Sequence, residues 1–513
     1  MDHDARLNDD ALSPPGSGAL DPEDWDATAR LGHRMVDDML GYLRTVRERP
    51  LWRPVPPGVK AAFEAPLPLE PEPAEAVYEA FLRDVLPYPH GNLHPRFWGW
   101  VVGTGSPIGM FADLLAAGMN SNSGFGEQAV AFVERQVFAW LREALGLPEG
   151  GSGLLVSGCS MANLVGLTLA RNVKAGWDVR GEGIAGGPPL RVYGSTQTHS
   201  SNHRALEVLG LGRGGFVAIP TGADHRVEVA AMAQRIAADR AAGLRPVAIV
   251  GNAGTVNAGA FDDLGALADL AAAEGLWLHV DGAFGALAAL SPRHRSLTEG
   301  MGRADSVAFD LHKWLHVPYD AGAVLVRDEA AHRGAFSLTG AYLSPLESRL
   351  ATGPINFMDY GVQMSRGFRA LKVWMTLKHH GLDRLGGSIA RNIDQAAWLA
   401  AQIIDAPDLE LCAPVPLNVV CFRYAPEGGP PEGLDALNRR ILVELHERGI
   451  AAPSHTVLDG RFVLRAAISN HRTHKEDLEL LLTEVRALGQ RFAPSLGGWG
   501  PPGDGSPAHA PPR

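Results

Sequence analysis

The sequence predicts an α/β fold in which a mostly parallel central sheet is flanked by helices. Two observations support this prediction. From about Pro107, helical stretches alternate with short apolar runs such as PVAIVGNAG (246–254) and LWLHVDGAFG (276–285). Each run is largely apolar, as in strands that are buried on both faces, and each contains a glycine turn at its end. Strands of this kind that alternate with helices are typical of a parallel sheet covered by helices.

Length and composition indicate a large globular protein with more than one lobe. The chain has 513 residues, of which 46% are hydrophobic and 20% are charged. A typical domain has about 100 to 200 residues, so we expect one large core and at least one further lobe. The formal net charge is -11. This charge argues against a nucleic-acid partner, because phosphate backbones are bound by basic surfaces.

The amino-terminal part of the chain is predicted to be helical and extended over 21–106. Residues 1–20 are polar, with few apolar residues to form a core, so a disordered tail is expected. A helix is predicted from Asp21-Pro22, where a cap is followed by proline at the first helical position. Its apolar stripe recurs at helical spacing and consists of Leu31, Met35, Met39 and Leu43. The proline-rich run over 50–73 predicts an extended linker.

The remainder of the chain divides into two predicted lobes and a tail. The large α/β lobe covers 107–365, where strands and helices alternate. A helix (FRALKVWMTLKHHG) then leads to the strands NVVCFRY and RFVLRAAIS, which predict a smaller α+β lobe over 366–495. Residues 496–513 are rich in proline and glycine, so a second disordered tail is expected.

Cysteine content and hydropathy indicate the cellular compartment of the protein. Cys159, Cys412 and Cys421 are too few for a disulfide framework and lack the spacing of metal ligands, so we expect a reducing compartment and no metal. The amino terminus has no basic region followed by an apolar run. No stretch reaches the roughly 20 apolar residues of a membrane span. We therefore expect a cytoplasmic protein without a membrane partner.

Lys313 is the first candidate for chemistry. It lies in the segment FDLHKWL, directly after the apolar run SVAF. A lysine among apolar side chains is partly desolvated, which lowers its pKa and frees the amine for imine chemistry. An ordinary surface lysine is the alternative interpretation.

Asp281 and a glycine-containing turn are the second and third candidates. Asp281 follows an apolar run, so its carboxylate is expected at the carboxyl edge of the sheet, where α/β folds bind ligands. The segment LLVSGCSMAN predicts a strand, a turn over 157–160 and a helix, and a helix amino terminus offers N–H groups to a phosphate. An ordinary strand-end residue and a plain helix cap are the alternatives.

His199 is the fourth candidate. It lies at a loop-to-helix junction in TQTHSSNHRALEV, with Ser200 and Ser201 as possible helix caps. Its flat ring is suited to stacking on an aromatic cofactor, whereas a structural histidine is the alternative. All four candidates lie beside the ends of predicted strands, and this combination is much less expected by chance than any single member.

The combined segments resemble the group II pyridoxal-phosphate decarboxylases, the family of aromatic-L-amino-acid, glutamate, histidine and tyrosine decarboxylases. Further segments similar to that family are HPRFWGW, VGNAGTVNAGAFDDL, RGFRALKVW and VLRAAISNHRTHKEDLELLL. The resemblance covers roughly residues 25 to 490. It implies the fold-type I architecture of pyridoxal-phosphate enzymes and a homodimer whose active site lies between the subunits, with 21–106 as a dimerisation segment.

The resemblance also implies a role for each candidate. Lys313 binds pyridoxal 5'-phosphate covalently, Asp281 pairs with its pyridine nitrogen and His199 stacks on its ring. The other implied cofactor-binding residues are Cys159 (through its backbone N–H), Ser160 and His312 for the phosphate, and Thr255 and Asn163, which lie in matched segments.

Three more residues complete the implied site. The segment SLTGAYLSPLESRLATG resembles the mobile catalytic loop of the family, in which Tyr342 matches the tyrosine that protonates the substrate; a packed tyrosine is the alternative. Trp100 and Arg465 are candidates for substrate contact, although a structural salt bridge is an alternative for Arg465. The chain departs from the common family pattern at Cys159 (usually glycine or alanine), Leu311 (often proline) and Gly367 (often a second arginine).

The functional prediction is a carboxy-lyase that uses pyridoxal phosphate to convert an L-amino acid to its amine and carbon dioxide. An aromatic substrate is favoured and an acidic one is second, because the presumed pocket segments FWGWVVGTGSPIG and NSNSGFGEQAV mix tryptophan with glycine and small polar residues. The alternatives are an aminotransferase, a decarboxylating oxidative deaminase that forms an aldehyde, and a catalytically silent cofactor-binding protein.

Overall fold

A seven-stranded sheet forms the centre of the large lobe in the computed structural model, which describes residues 20–337, 350, 353, 355–427 and 431–496. In spatial order its strands are β2 (Ser152–Val156), β8 (Gly322–Val326), β7 (Ser306–Asp310), β6 (Trp277–Asp281), β5 (Arg245–Asn252), β3 (Leu190–Ser195) and β4 (Phe216–Ile219). Neighbouring strands are parallel from β7 to β4, whereas β8 is antiparallel to both β2 and β7. The predicted mostly parallel sheet is confirmed.

Helices pack against this sheet and bury it. Within β5, the four residues Val247, Ala248, Ile249 and Val250 are completely buried. Burial of consecutive residues requires cover on both faces of a strand, because neighbouring side chains point to opposite faces. The helices of this lobe are α4 (Pro107–Met119), α5 (Ala129–Ala144), α6 (Cys159–Lys174), α7 (Val179–Glu182), α8 (Ser200–Val208), α9 (Val229–Ala241), α10 (Leu264–Glu274), α11 (Leu311–Trp314) and α12 (Glu329–Phe336).

A second sheet of five strands forms most of the carboxyl-terminal part. In spatial order its strands are β1 (Phe97–Trp98), β11 (Ala452–Leu458), β12 (Arg461–Ala467), β10 (Val419–Tyr424) and β9 (Leu409–Leu411). The helices of this part are α13 (Arg369–Ile404), α14 (Pro431–Glu447) and α15 (Lys475–Phe492). The result is the expected α+β arrangement, except that the edge strand β1 comes from before residue 107 and pairs in parallel with β11.

The amino-terminal region is a separate unit. The described residues of Met1–Arg49 and Pro56–Pro87 form one compact unit, and those of Pro50–Val55 and Tyr88–Arg513 form a second. The first unit contains α1 (Trp25–Arg44), α2 (Pro57–Ala62), α3 (Ala74–Ala80) and a π-helical turn (Phe81–Val85).

Two sequence predictions for the amino-terminal region are wrong in detail. Helix α1 begins at Trp25, because the Asp24 side chain accepts a hydrogen bond from Ala27 N–H at 2.8 Å and caps the helix there. The predicted start at Asp21-Pro22 is too early. The proline-rich run is also not extended throughout, since α2 begins with Pro57 at its first position, where the missing N–H loses no helical hydrogen bond.

The structure bears on only part of the remaining sequence predictions. Of the predicted tails, 1–20 and 496–513, residues 1–19 and 497–513 lie outside the described residues. None of the described helices combines the length and the hydropathy needed to span a bilayer. Cys159, Cys412 and Cys421 are buried and free. The domain limits predicted from the sequence stay a prediction.

A buried ion pair joins α5 to the segment before α13. Arg366 Nη2 lies 2.5 Å from Glu134 Oε1, and Arg366 Nη1 lies 3.2 Å from Glu134 Oε2. Both side chains are only 1% exposed. The main chain of Leu155 in β2 completes the arrangement, since its N–H donates to Glu134 and its carbonyl accepts from Arg366. The two charges therefore compensate each other in a site that excludes water.

We expect Glu134→Ala to lower the free energy of unfolding by about 3–5 kcal/mol, because it leaves the Arg366 cation buried without its partner. The double change Glu134→Ala with Arg366→Met should cost less than this single change. Urea unfolding followed by circular dichroism measures both. The matched control is Asp394→Ala, which removes an exposed pair with Arg293 and should change stability little. Equal losses in Glu134→Ala and Asp394→Ala would contradict the expectation.

Candidate active site

Two aspartates end neighbouring strands at the carboxyl edge of the central sheet. Asp281 is the last residue of β6, Asp310 is the last residue of β7, and the two strands are parallel neighbours. Their residues are only 5% and 2% exposed. Parallel strands present their carboxyl ends at the same edge, which is where α/β sheets bind ligands. The sheet therefore brings both carboxylates to one crevice.

Lys313 follows Asp310 in the short helix α11, and its Nζ lies 2.8 Å from Asp310 Oδ2. The sequence predicted that desolvation lowers the pKa of this amine, and this prediction is wrong. Burial does act to lower the pKa, but the Asp310 and Asp281 carboxylates outweigh burial and raise it. The free amine is held as an ammonium ion, which has to release a proton before its nitrogen attacks a carbonyl carbon.

The glycine-containing turn leads from β2 into α6 beside Asp310. The N-cap residue of α6, Gly158, has no side chain to cap the helix, and the N–H of its first residue, Cys159, donates instead to Asp310 Oδ1 at 2.5 Å. Ser160 is exposed in the first helical turn. Strand β8 passes so close that a Cβ on Gly322 would lie 2.5 Å from Gly158 Cα. Glycine at position 322 is therefore needed for the strand and the turn to approach each other.

His312 lies against the same turn. Its Cε1 is 3.4 Å from the position that a Cβ on Gly158 would occupy. His312 Nδ1 accepts from Ala321 N–H at 3.1 Å, so the neutral ring carries its proton on Nε2. Burial lowers the pKa of His312 despite the nearby Asp310 carboxylate. Exposed Ser160 at the start of α6 and the His312 imidazole N–H are donors suited to a phosphate group.

Asp281 is held by side-chain amides from α6 and α8. Asn202 Nδ2 donates to Asp281 Oδ2 at 2.7 Å, and Asn163 Nδ2 donates to the same oxygen at 2.9 Å. Asp281 Oδ1 accepts from Ala283 N–H at 3.2 Å and from Cys159 Sγ at 3.5 Å. None of these hydrogen-bond donors is a cation, so the carboxylate can stabilise a protonated nitrogen that faces it.

His199 is itself the N-cap of α8, whereas the sequence suggested Ser200 and Ser201. Its Nδ1 accepts from Ser201 N–H at 3.2 Å and lies 2.8 Å from Ser201 Oγ. The cap forms because an imidazole nitrogen is an acceptor for the free N–H groups of a helix start. Ser201 Oγ in turn accepts from Asn163 Nδ2 at 3.0 Å, which connects His199 to the residues around Asp281.

Contacts therefore link all four predicted segments into one site. Lys313 contacts Asp310, Asp310 contacts Cys159, and Cys159 contacts Asp281. The site combines an amine, a buried carboxylate, an imidazole and the amino terminus of a helix. These groups match the aldehyde, pyridine nitrogen, ring face and phosphate of pyridoxal phosphate, so the residues fit this cofactor.

The other cofactor and catalytic candidates occupy different positions. Thr255 is buried, and its Oγ1 accepts from Ala260 N–H at 3.0 Å within its own loop. Asn163 is fully buried and contacts Asp281 from the protein interior. Tyr342 lies outside the described residues. In the described part of the chain, no group of three or more His, Cys, Asp or Glu side chains is arranged to hold a metal ion.

Trp100 and Arg465, the two substrate candidates, contact each other. Arg465 Nη1 donates to the Trp100 carbonyl at 2.8 Å, and Arg465 Nε donates to the Asn257 carbonyl at 3.2 Å. Arg465 is 3% exposed, and burial lowers the pKa of its guanidinium to about 10. Its Nη2 is buried without a hydrogen-bond partner among the described residues. The guanidinium thus binds neutral carbonyl and hydroxyl groups there, rather than forming the salt bridge considered from the sequence.

Sequence reasoning missed three polar residues of this site. Asp310 ends the apolar run SVAF in the same way as Asp281 ends its own, so the argument that identified Asp281 applies to Asp310 as well. His279 lies two residues before Asp281 and shares its face of the strand. Asn202 lies one helical turn after His199. Each of these spacings is a signal that could have been used.

Comparison with known proteins agrees with this chemistry. Residues 56–425 match the pyridoxal-dependent decarboxylase conserved domain. The aromatic-L-amino-acid decarboxylase of Bacillus atrophaeus is 33% identical over 468 residues, which cover 90% of this chain and 96% of that protein. The phenylacetaldehyde synthase of Arabidopsis thaliana is 29% identical, with 90% of this chain and 96% of the relative covered.

A solved structure extends the likeness to the whole fold. The crystal structure of Oryza sativa TDC with PLP and tryptamine has a TM-score of 0.86 and 28% identity, and the match covers 93% of this chain and 100% of that one. The resemblance to group II decarboxylases, the fold-type I architecture and the pyridoxal-phosphate cofactor are confirmed. The chain belongs to the pyridoxal-dependent decarboxylase family and is a carboxy-lyase that decarboxylates an amino acid.

Proposed function

We propose that this enzyme decarboxylates an aromatic L-amino acid to its amine and carbon dioxide, with pyridoxal phosphate bound covalently to Lys313. The observation that carries the proposal is the meeting of Lys313, Asp310, Cys159 and Asp281 at one edge of the sheet. The aromatic class is supported by the names of the B. atrophaeus relative and of the O. sativa structure with tryptamine. An acidic amino acid is the second choice.

The residues around the crevice hold different parts of the cofactor in this proposal. Lys313 forms the covalent link, Asp281 faces the pyridine nitrogen and His199 stacks on the ring. Pyridoxal phosphate supplies an electron sink for the electron pair that a departing carboxylate leaves behind. The remaining proposed cofactor contacts are Ser160 and His312 for the phosphate, with Thr255 as a further contact. The Cys159 N–H, which the family resemblance implies for the phosphate, donates to Asp310 instead.

The charges of the chain support these roles. Asp281 accepts hydrogen bonds from neutral amide groups, so it can stabilise a proton on a nitrogen that faces it. Asp310 lies 2.8 Å from Lys313 Nζ and is an acceptor for the proton that the ammonium has to release. His312 is kept neutral because burial lowers its pKa, so it donates one N–H to the phosphate without adding a charge.

Trp100 and Arg465 are the proposed contacts for the substrate. Trp100 is 56% exposed, and its ring lies 5.4 Å from the His90 ring in a stacked arrangement. An exposed indole offers an apolar face to an aromatic side chain. The buried Nη2 of Arg465 has no partner among the described residues, and a carboxylate of the substrate would satisfy it.

The proposal extends to a cytoplasmic homodimer. Helix α4 presents Leu114, Leu115 and Met119, each more than half exposed. Grouped apolar side chains of this kind mark protein interfaces, and the family resemblance makes a second copy of this chain the expected occupant. We also propose that Tyr342 contacts the active site of the partner subunit. The free and buried cysteines support a reducing compartment.

An aldehyde-forming reaction is the second candidate function, because the relatives include a phenylacetaldehyde synthase. That reaction loses carbon dioxide and replaces the amino group by a carbonyl oxygen from water, with ammonia released and dioxygen, the required two-electron oxidant, reduced to hydrogen peroxide. Tyr342 favours the amine, since aldehyde-forming members of the resembling family tend to lose this tyrosine. Neither an aminotransferase nor a catalytically silent protein is favoured by a specific observation.

Carbon dioxide release across the common L-amino acids and 2,4-diaminobutyrate tests the substrate class. We expect kcat/KM for an aromatic amino acid to exceed that for any acidic one by at least about tenfold, which corresponds to about 1.4 kcal/mol of transition-state stabilisation. Lys313→Ala, the matched negative control, should release no carbon dioxide from any of them. A preference for glutamate or aspartate would overturn the aromatic assignment, and full activity of Lys313→Ala would overturn the role of Lys313.

Tyr342→Phe should slow amine formation by about 100-fold or more and divert product toward the aldehyde, because it removes the proposed acid that protonates the substrate carbon. Amine and aldehyde are quantified by chromatography against total carbon dioxide. Tyr360→Phe is the control, since the Tyr360 hydroxyl donates to Glu329 and has no proposed role in the reaction. An unchanged amine yield in Tyr342→Phe would refute the assignment.

A further inference from the structure

A series of buried polar side chains lies behind Asp281. Trp277 Nε1 is 2.8 Å from Ser306 Oγ, which is 2.8 Å from His279 Nδ1. His279 Nε2 is 2.9 Å from Asn163 Oδ1, and Asn163 Nδ2 is 2.9 Å from Asp281 Oδ2. Ser306, His279 and Asn163 are fully buried. The series therefore runs from an indole in the protein interior to the carboxylate at the crevice.

The chemistry of the two ends leaves one arrangement of protons. An indole nitrogen only donates and an ionised carboxylate only accepts. Ser306 therefore accepts from Trp277 and donates to His279 Nδ1, and the neutral His279 ring carries its proton on Nε2. That N–H donates to Asn163 Oδ1, so the amide nitrogen of Asn163 faces Asp281.

The same amide is also linked to His199 through the Ser201 hydroxyl. Asn163 Nδ2 carries two hydrogens, one for Asp281 and one for Ser201 Oγ at 3.0 Å. Ser201 can then donate its own hydrogen to His199 Nδ1 at 2.8 Å. With Nδ1 occupied as an acceptor, the neutral His199 ring carries its proton on Nε2. One amide thereby hydrogen-bonds Asp281 directly and His199 through the Ser201 hydroxyl, which adds to the Ser201 N–H that already donates to His199 Nδ1.

The neighbouring helix leaves room for this imidazole. A Cβ on Gly166 of α6 would lie 2.5 Å from His279 Cε1 and Nδ1. Alanine favours a helix over glycine, yet the ring at position 279 excludes it here. Burial lowers the pKa of His279 to about 4 despite the pull of Asp281, so the ring stays neutral at ordinary pH.

We propose that His279 is a positioning residue, which acts through Asn163 to orient Asp281 and His199 toward the cofactor ring. The inference rests on the proposed placement of that ring at Asp281 and His199. If the Asn163 amide turned over, its carbonyl oxygen would face the Asp281 carboxylate and repel it. The N–H of His279 prevents this by requiring the carbonyl oxygen on its own side.

The test adds pyridoxal 5'-phosphate to cofactor-free protein and measures its affinity and the pH midpoint of its visible absorbance change. His279→Leu releases the Asn163 amide, whose own hydrogen bond goes to the Asp281 carboxylate. Because hydrogen bonds to charged groups are strong, this variant should weaken cofactor binding by about 10- to 100-fold. The pH midpoint should rise. A misoriented Asp281 stabilises the proton on the pyridine nitrogen less, and loss of that positive charge makes the rest of the cofactor easier to protonate. His279→Gln keeps an N–H for Asn163 and should stay close to the unsubstituted enzyme in both measurements.

Charges near Asp281 remain the same in these variants. Cys159, Lys313 and His199 interact electrostatically with Asp281 from α6, α11 and α8, and none of them is substituted. His332→Leu is the matched control, since His332 is also fully buried with both ring nitrogens in hydrogen bonds, to Ser152 and to the Tyr360 carbonyl. It should lower stability without moving the midpoint.

Three outcomes separate the possibilities. If His279→Leu matches His332→Leu in affinity and midpoint while Asp281→Asn shifts both, the positioning role is refuted and the placement of the ring stands. If Asp281→Asn also shifts neither, the placement itself is wrong. Should His279→Leu fail to fold, Gly166→Ala displaces the imidazole instead: a raised midpoint supports the inference and an unchanged midpoint overturns it.

Discussion

Two carboxylates buried at the ends of neighbouring strands are the constraint on which the site depends. A buried charge without partners is strongly destabilising, so Asp281 and Asp310 each need a set of donors. Asp310 obtains the Lys313 ammonium and the first N–H of α6. Asp281 obtains the amides of Asn163 and Asn202. Because these donors come from α6, α8 and α11, satisfying the two charges holds three helices against one edge of the sheet and forms the crevice.

The two carboxylates differ in what remains available to a ligand. Asp310 is already paired with a cation from its own chain, whereas the hydrogen-bond donors on Asp281 are neutral. Asp281 is therefore the carboxylate that can still stabilise a positive charge on a bound ring. Asn163 donates to Asp281 and to Ser201, which contacts His199. The same interior hydrogen bonds therefore connect Asp281, the proposed contact of the ring nitrogen, with His199, the proposed contact of the ring face.

Short-range features of the sequence were sufficient to identify much of the fold and site. The apolar strand runs, the glycine turn and the strand-end position of Asp281 are local signals, and the structure brings these segments together. Features that depend on distant partners were missed. Strand β1 pairs with β11, which is more than 300 residues away along the chain. The pKa of Lys313 was assigned the wrong direction because its apolar neighbours were considered without the Asp310 carboxylate. His279, on strand β6, acts only through Asn163, which lies on helix α6.

The central claim is that the cofactor is joined to Lys313, one of six lysines in the chain. Sodium borohydride reduction of the cofactor-saturated enzyme, followed by peptide mapping with mass spectrometry, tests it most directly. We expect the mass of the reduced pyridoxal-phosphate adduct on the peptide that contains Lys313 and on no other. An adduct on Lys372, the other lysine with a largely buried side chain, or an unlabelled Lys313 peptide, would contradict the account.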